Sequence, residues 1–318
     1  MNTSERTVLM GTPAINTVAT TQTPHISVCI CTLRRPHLLS QTLAKLDGQR
    51  TEGLFTYSVV VADNDAMGSA LQAVAAFSST KSLPVTYCIE PQQNIALARN
   101  RAVRQAEGDL IAFIDDDEFP ASDWLCNLFK TCMESGADGV LGPVNPYFEL
   151  EPPAWVEKGR FFDRPTHVTG YKLTWEQSRT GNVLFRREIL NRLDIPFRSK
   201  FDAAGEDMDF FRRAMEKGCW FVWCNEAVVF EVVPSARCTR SYLLKRALLR
   251  GSNFPKHPSH RIRNIVKSLI AVPAYTLALP VLFLGGQHVF LKYLIKLLDH
   301  VSRLLAFLGL NLVTQRQT

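Results

Sequence analysis

"LIAFIDDDEFP", residues 110–120, carries five apolar residues, Leu110 to Ile114, straight into Asp115, Asp116, Asp117 and Glu118. A run that short and that apolar reads as a strand covered on both faces. Three upstream segments repeat the theme: "ISVCIC" (26–31), "YSVVVAD" (57–63) and "VTYCIE" (85–90), each leading into polar residues. Helical stretches fall between them. In "NIALARNRAVRQAEG" (94–108), Ile95, Ala98, Ala102, Val103 and Ala106 form one stripe, and Gly108 supplies a stop. This alternation predicts an α/β fold with a mostly parallel, doubly wound sheet and helices on both faces. Such sheets bind ligands beyond the carboxyl ends of their strands, where Asp63 and the Asp115–Asp117 run both fall.

The remaining composition bounds the class. The 318 residues are 46% hydrophobic with a net charge of +6, an ordinary globular balance. Eight cysteines lie mostly in apolar runs, with no C-x-x-C pair and no zinc spacing, which reads as buried reduced thiols. Residues 1–25 lack an apolar core of signal-peptide length and read as a flexible tail, so the domain is expected in the cytoplasm. Residues 26–118 then form a nucleotide-binding half. Residues 119–235 form an acceptor half, with a helix at "SDWLCNLFKTCMESG" capped by Ser122 and five prolines between 139 and 180.

From Pro234 to Lys267 there are nine Lys or Arg and no acid, so residues 236–267 read as a basic linker. Such a block suits a polyanion, either nucleic acid or an anionic membrane. No helix-turn-helix, RRM or zinc pattern accompanies it, so nucleic acid is not expected. Its neighbour favours lipid: residues 268–291 contain no charged side chain and exceed the roughly 20 apolar residues a bilayer crossing needs. Pro273, Pro280, Gly285 and Gly286 leave a re-entrant hairpin equally open. Beyond, Lys292, Lys296, Asp299 and Arg303 share one helical face opposite Phe290, Leu294, Leu297, Val301, Leu304 and Leu308, an interfacial amphipathic pattern. The competing reading is a packed helical hairpin of a soluble protein. Residues 268–318 are expected to associate with the membrane.

On an extended strand Asp115 and Asp117 point to the same side, where two carboxylates repel unless a cation lies between them. Oxygen ligands suit Mg²⁺ or Mn²⁺, which share their shell with phosphates. Asp63 can accept from a base or a ribose hydroxyl, or hold an Asx-turn. Arg99 and Asn100 fall on the polar side of their helix, where Arg99 either reaches a ligand or is solvated. In "GEDMDFFRRAMEKG" (205–218), Glu206 and Asp207 occupy the first helical turn, which favours the ionised form and makes either a candidate general base or a simple cap. "RTGN" (179–182) places Asn182 before a strand, as an acceptor-pocket wall or a plain turn.

In this order, "ISVCICTLRRP", "VVVADND", "NIALARNRA", "FIDDDE", "TGN" and "GEDMDFF" resemble the family 2 inverting glycosyltransferases of the nucleotide-diphospho-sugar (GT-A) fold, over about residues 26–235. The wording looks closest to bacterial glucosyltransferases of succinoglycan-type exopolysaccharide assembly. The resemblance implies that Thr32 and Asp63 hold the uridine of a UDP-sugar, helped by Arg99 and by Asp116. It implies that Asp115 touches the ribose or the metal, that Asp117 binds the divalent cation, and that Asp207 is the general base. The donor sugar is expected to be glucose. The Q-x-x-R-W signature of processive relatives is missing; "SYLLKRALLRG" (241–251) stands in its place, so a single addition is expected. Arg246 and Arg250 there either meet a lipid-linked acceptor or serve the membrane surface, on the cytoplasmic face and within a polysaccharide assembly complex. Kept beside this are a polyprenyl-phosphate glycosyltransferase and a catalytically silent assembly partner.

Overall fold

The four apolar runs are strands β1 (His25–Thr32), β2 (Thr56–Asp63), β3 (Val85–Ile89) and β4 (Leu110–Ile114), separated by helices α1 (Pro36–Leu46), α2 (Leu71–Ser78) and α3 (Ile95–Gln105). A computed structural model describes residues 23–200, 205–253 and 261–310. The tail expected over 1–25 lies outside the described residues up to residue 22, and β1 already begins at His25. Lys256 of the basic block and residues 311–318 also lie outside them.

After β4 come β5 (Glu118–Pro120), α4 (Trp124–Ser135), β6 (Gly139–Leu141), β7 (Val144–Tyr147) and the short α5 (Ala154–Gly159). They are followed by β8 (Asn182–Arg186), α6 (Glu188–Asn191), α7 (Glu206–Glu216), β9 (Phe221–Trp223) and β10 (Val229–Val232). The main sheet has the order β3-β2-β1-β4-β8-β6-β9. Only β8 runs against its neighbours. The mostly parallel sheet expected from the apolar runs is therefore present. A second sheet, β5-β10-β7, pairs Glu118 on β5 with Glu231 on β10.

Both faces of the main sheet are covered. Leu39, Leu43, Phe55, Trp124 and Leu128 pack on one side with the inward residues of β1 and β2. Ala102, Phe197, Phe210, Phe211 and Phe221 pack on the other with Cys29, Val60 and Phe113. Each Val, Leu or Phe among them contributes about 1.5–3 kcal/mol on full burial, and the doubly covered faces explain why the central strands read as apolar runs. All eight cysteines are free, and seven of them are buried.

Two punctuation marks have other causes than the sequence suggested. Helix α3 ends at Gln105, and Gly108 instead lies against β1, where a Cβ would come 2.5 Å from the carbonyl oxygen of His25. Ser122 does not cap α4: the cap position is Asp123, without a side-chain bond, and the Ser122 carbonyl accepts from Arg50 at 2.9 Å.

The C-terminal part consists of α8 (Arg240–Asn253), α9 (Arg261–Leu284) and α10 (Gln287–Phe307). The uncharged stretch 268–291 is not one helix. α9 continues through Pro273 and Pro280, and the chain reverses at Gly285 and Gly286, the latter with φ +95°. The two helices form an antiparallel hairpin. Ser268 meets His300 at 2.9 Å, Tyr275 meets Tyr293, and Phe283 meets Phe290 at the turn. Arg250 of α8 pairs with Asp299 of α10 at 3.4 Å, and the Ser302 hydroxyl donates to the Leu248 carbonyl at 2.5 Å. α9 is long and apolar enough to cross a membrane and is almost wholly uncovered, with Leu277 80% exposed and Leu284 85% exposed.

Candidate active site

The ends of β1, β2 and β4 open at one edge of the sheet, because Thr32 pairs in register with Asp63 and β1 lies between β2 and β4. Asp63 is fully buried at that edge. Its oxygens accept from the backbone amides of Asp65 (3.1 Å) and Ala70 (2.7 Å) and from the Tyr87 hydroxyl (2.9 Å). The side chain therefore holds the loop after β2. Thr32 is also buried, and its hydroxyl donates to Asp116 at 2.8 Å, which ties the end of β1 to the acidic turn.

The acidic turn divides its carboxylates among different surroundings. Asp116 turns inward to Thr32 and to Arg35, 3.3 Å away, and burial pushes its carboxyl up to about 7 against the pull of Arg35. Asp117 is clasped by two guanidinium groups, Arg35 at 3.0 Å and Arg237 at 3.6 Å. Asp115 faces the open side, its side chain 48% exposed. The protein packed around its base pushes its carboxyl up to about 6, with Arg99 opposing and Asp117 adding to the rise. Glu118 lies beneath. Its Oε2 accepts from the Asp115 amide at 3.2 Å, while its buried Oε1 has no hydrogen-bond partner.

A space beside Gly181 suits a divalent cation. A Cβ on Gly181 would come 2.9 Å from Glu118 Oε1 and 3.2 Å from Asp115 Oδ2, so the absent side chain leaves a gap bordered by two carboxylates. Among the described residues no group of three or more His, Cys, Asp or Glu side chains is set to hold a metal by itself. Two carboxylates and an orphaned buried oxygen fit an ion such as Mg²⁺, which takes one or two protein carboxylates and completes its shell with phosphate and water.

Arg99 joins this turn to α7. It is buried, on the covered side of α3, contrary to the polar face expected for it and for Asn100. Its guanidinium is hydrogen-bonded to Glu206, lies 3.9 Å from Asp115 and rests 5.8 Å from the centroid of Phe197. Asn100 exchanges two hydrogen bonds with the backbone of Phe197, at 2.6 and 3.0 Å. Glu206 is thus occupied by an ion pair. Burial raises its pKa, with Asp207 adding to the rise and Arg99 opposing it. Asp207, half-buried in the first turn of α7, accepts from the Met208 amide at 2.7 Å and has no hydrogen bond to its other oxygen among the described residues. Asp209 is committed to Arg212 and Arg213, at 3.0 and 2.7 Å.

The three expected acceptor residues are not gathered in one place. Asn182 is a buried framework residue, accepting from the Trp124 indole at 2.8 Å and donating to the carbonyls of Pro143 and Ala227. Arg250 is engaged with Asp299. Arg246 stacks 5.9 Å over Phe162 and is close enough to Glu231 and Arg164 for their charges to act on it.

Arg35, Arg164, Arg237 and Glu231 were not singled out in the sequence. Arg237 and Arg164 both bind Glu231, and Arg237 also reaches Asp117. Arg237 lay inside the block of cations, where nothing distinguished it from surface charge. Arg35 carried one weak signal, its place in "TLRRP" directly after a strand whose end faces the site.

Comparison with known proteins bears on this site. Residues 27–194 match the family model "Glycosyl transferase family 2". The chain is 35% identical over 235 residues to the succinoglycan biosynthesis protein ExoM of Rhizobium meliloti, covering 72% of this chain and 74% of that one. Two solved structures share the fold. One is the mannosyltransferase PcManGT of Pyrobaculum calidifontis in complex with GDP-Man and Mn²⁺, with a TM-score of 0.59 and 20% identity over 91% of this chain and 87% of that one. The other is TarS 1-349 of S. aureus in complex with UDP, with a TM-score of 0.51 and 17% identity over 92% of this chain and 94% of that one. The family match spans the strands that build the acidic edge, and the relative extends over most of both chains. The chain belongs to glycosyl transferase family 2, a glycosyltransferase of GT-A fold.

Proposed function

We propose that this glycosyltransferase moves a sugar, glucose by preference, from a UDP-sugar to a lipid-linked saccharide during bacterial exopolysaccharide synthesis, with inversion at the anomeric carbon. The observation that carries the reading is the convergence of Asp115 and Glu206–Asp207 on the two sides of one arginine, Arg99. It brings a cation-suited turn and a base-bearing helix end to the same opening. ExoM, a succinoglycan biosynthesis protein by its name, supports the exopolysaccharide setting.

The nucleotide occupies the edge formed by Thr32, Asp63 and Asp116. The carboxylates of the Asp115–Asp117 turn would hold Mg²⁺ or Mn²⁺, which would supply positive charge where the departing diphosphate gains negative charge. Arg35 and Arg237, already beside Asp117, are the protein's own cations for that diphosphate. Asp207 takes the proton of the acceptor hydroxyl as it attacks the face opposite the leaving UDP, through an oxocarbenium-like state. Arg246 stands by the acceptor entrance, whereas the bonds of Asn182 and Arg250 give them supporting positions.

The uncovered outer face of α9 supports attachment at the cytoplasmic face of the membrane, where a lipid-linked acceptor and assembly partners would be met. Leu269 and Leu277 lie on that face. Leu269→Glu with Leu277→Glu is expected to lower partition onto anionic vesicles by on the order of a hundredfold, since each exchange loses apolar burial and adds a desolvated charge. Unchanged flotation with vesicles would assign the face to another occupant.

The function itself is tested by UDP release from a panel of UDP-sugars, with and without Mn²⁺ or Mg²⁺, in membranes that supply lipid-linked acceptors. Metal-dependent release with one sugar, abolished by Asp115→Asn, is the expected result. Binding of UDP without turnover of any sugar would point to a silent assembly partner. Transfer to polyprenyl phosphate alone would change the acceptor and keep the donor chemistry.

A further inference from the structure

We infer that Glu118 is a direct protein ligand of the divalent cation, beside Asp115, and that Oδ2 of Asp117 holds Arg35 and Arg237 in place. The inference deepens the proposed donor site and rests on that reading.

Three observations converge on Glu118. Its side chain is only 1% exposed, yet Oε1 has no hydrogen-bond partner. A buried carboxylate oxygen left unpaired costs on the order of 1–3 kcal/mol or more, so such an atom persists where something other than protein satisfies it. Its direction is fixed from both ends of the side chain. The Glu118 carbonyl accepts from the Thr42 hydroxyl at 2.6 Å, and Oε2 accepts from the Asp115 amide at 3.2 Å, so Oε1 cannot swing away without breaking that bond. Finally, Gly181 leaves open the space that Oε1 and Asp115 Oδ2 both border, and a Cβ there would lie 2.9 and 3.2 Å from them.

Asp117 is differently placed. Its Oδ2 is 3.0 Å from Arg35 and 3.6 Å from Arg237, so a cation at that oxygen would have to displace two guanidinium groups. Arg164, the neighbouring cation, is hydrogen-bonded to Glu231.

The test is Mn²⁺ binding to the full-length protein, read by the electron paramagnetic resonance of free Mn²⁺, with and without UDP. Glu118→Gln keeps the shape and removes the charge. It is expected to weaken Mn²⁺ binding at least about tenfold, the minimum seen for loss of even an outer-shell partner. The metal-free melting temperature and metal-free UDP binding should stay at wild-type values. Asp115→Asn is measured alongside. Loss in both variants supports the inference. Loss in Asp115→Asn with Glu118→Gln within twofold of wild type overturns the inference and leaves the donor site intact. Wild-type affinity in both variants overturns the site as well. Should Glu118→Gln fail to fold, Gly181→Ala decides: it changes no charge but fills the gap, and wild-type Mn²⁺ affinity there would overturn the assignment.

Discussion

Replacing Asp207 by Asn is expected to lower turnover by about 10²- to 10⁴-fold, the range that a positioned general base contributes, with the affinity for UDP unchanged. The expectation follows from the division of labour in the first turn of α7. Glu206 and Asp207 are adjacent in sequence but face different partners. Glu206 is buried against Arg99. Asp207 is half-buried and spends one oxygen on the Met208 amide, 2.7 Å away. Its place in the first helical turn sets the carboxylate against the positive end of the helix dipole. Asn keeps the size and the hydrogen-bond acceptor but cannot take the proton. The loss should therefore fall on kcat, while KM for the donor moves little. A variant with wild-type kcat would move the base role to another group, and Glu206→Gln would then be the next variant to measure.

How far this could be foreseen from the sequence differs by element. β1, β2 and β4 were legible because their central residues are buried on both faces and so form apolar runs, and β3, the partly covered edge strand, keeps the same residue types. The acidic turn stands out in the sequence because four carboxylates follow directly on such a run. The second sheet was not legible, since β5, β7 and β10 are three or four residues long and too short to show a period. Its consequence was missed with it: Glu118 and Glu231 become neighbours only through the β5–β10 pairing, across 113 residues of chain. Helical periodicity registers apolar residues only, which is why it puts Arg99 on the polar side of α3. Its burial depends on Glu206, 107 residues away, which no local pattern reports. In the C-terminal segment, overall apolarity was evident but the element boundary was not. Two prolines remain within α9, and the reversal falls at the glycine pair instead, where Gly286 adopts a positive φ.

Arg99→Met should be the most damaging single change to stability outside the apolar core. Removing one partner of a buried ion pair costs about 3–5 kcal/mol, because the other charge is left uncompensated. Glu206 is poorly equipped for that loss: its Oε2 already lacks a hydrogen-bond partner, and burial and Asp207 both raise its pKa. For a chain of this size the cost corresponds to a fall in Tm on the order of 10 °C. The pH dependence has a definite sign. In the variant the folded-state pKa of Glu206 rises further above its unfolded value of about 4. The protonated form then favours folding at low pH, and that contribution is lost as pH rises through the raised pKa. The gap between variant and wild type should accordingly be smallest in acid and widest near neutrality. Adding Glu206→Gln to Arg99→Met should flatten this dependence and recover part of the stability, since the stranded charge is then gone. A Tm deficit that ignores pH, or a double variant no more stable than the single, would mean that packing of the Arg99 stem against Phe197, and not the ion pair, holds α3 to α7.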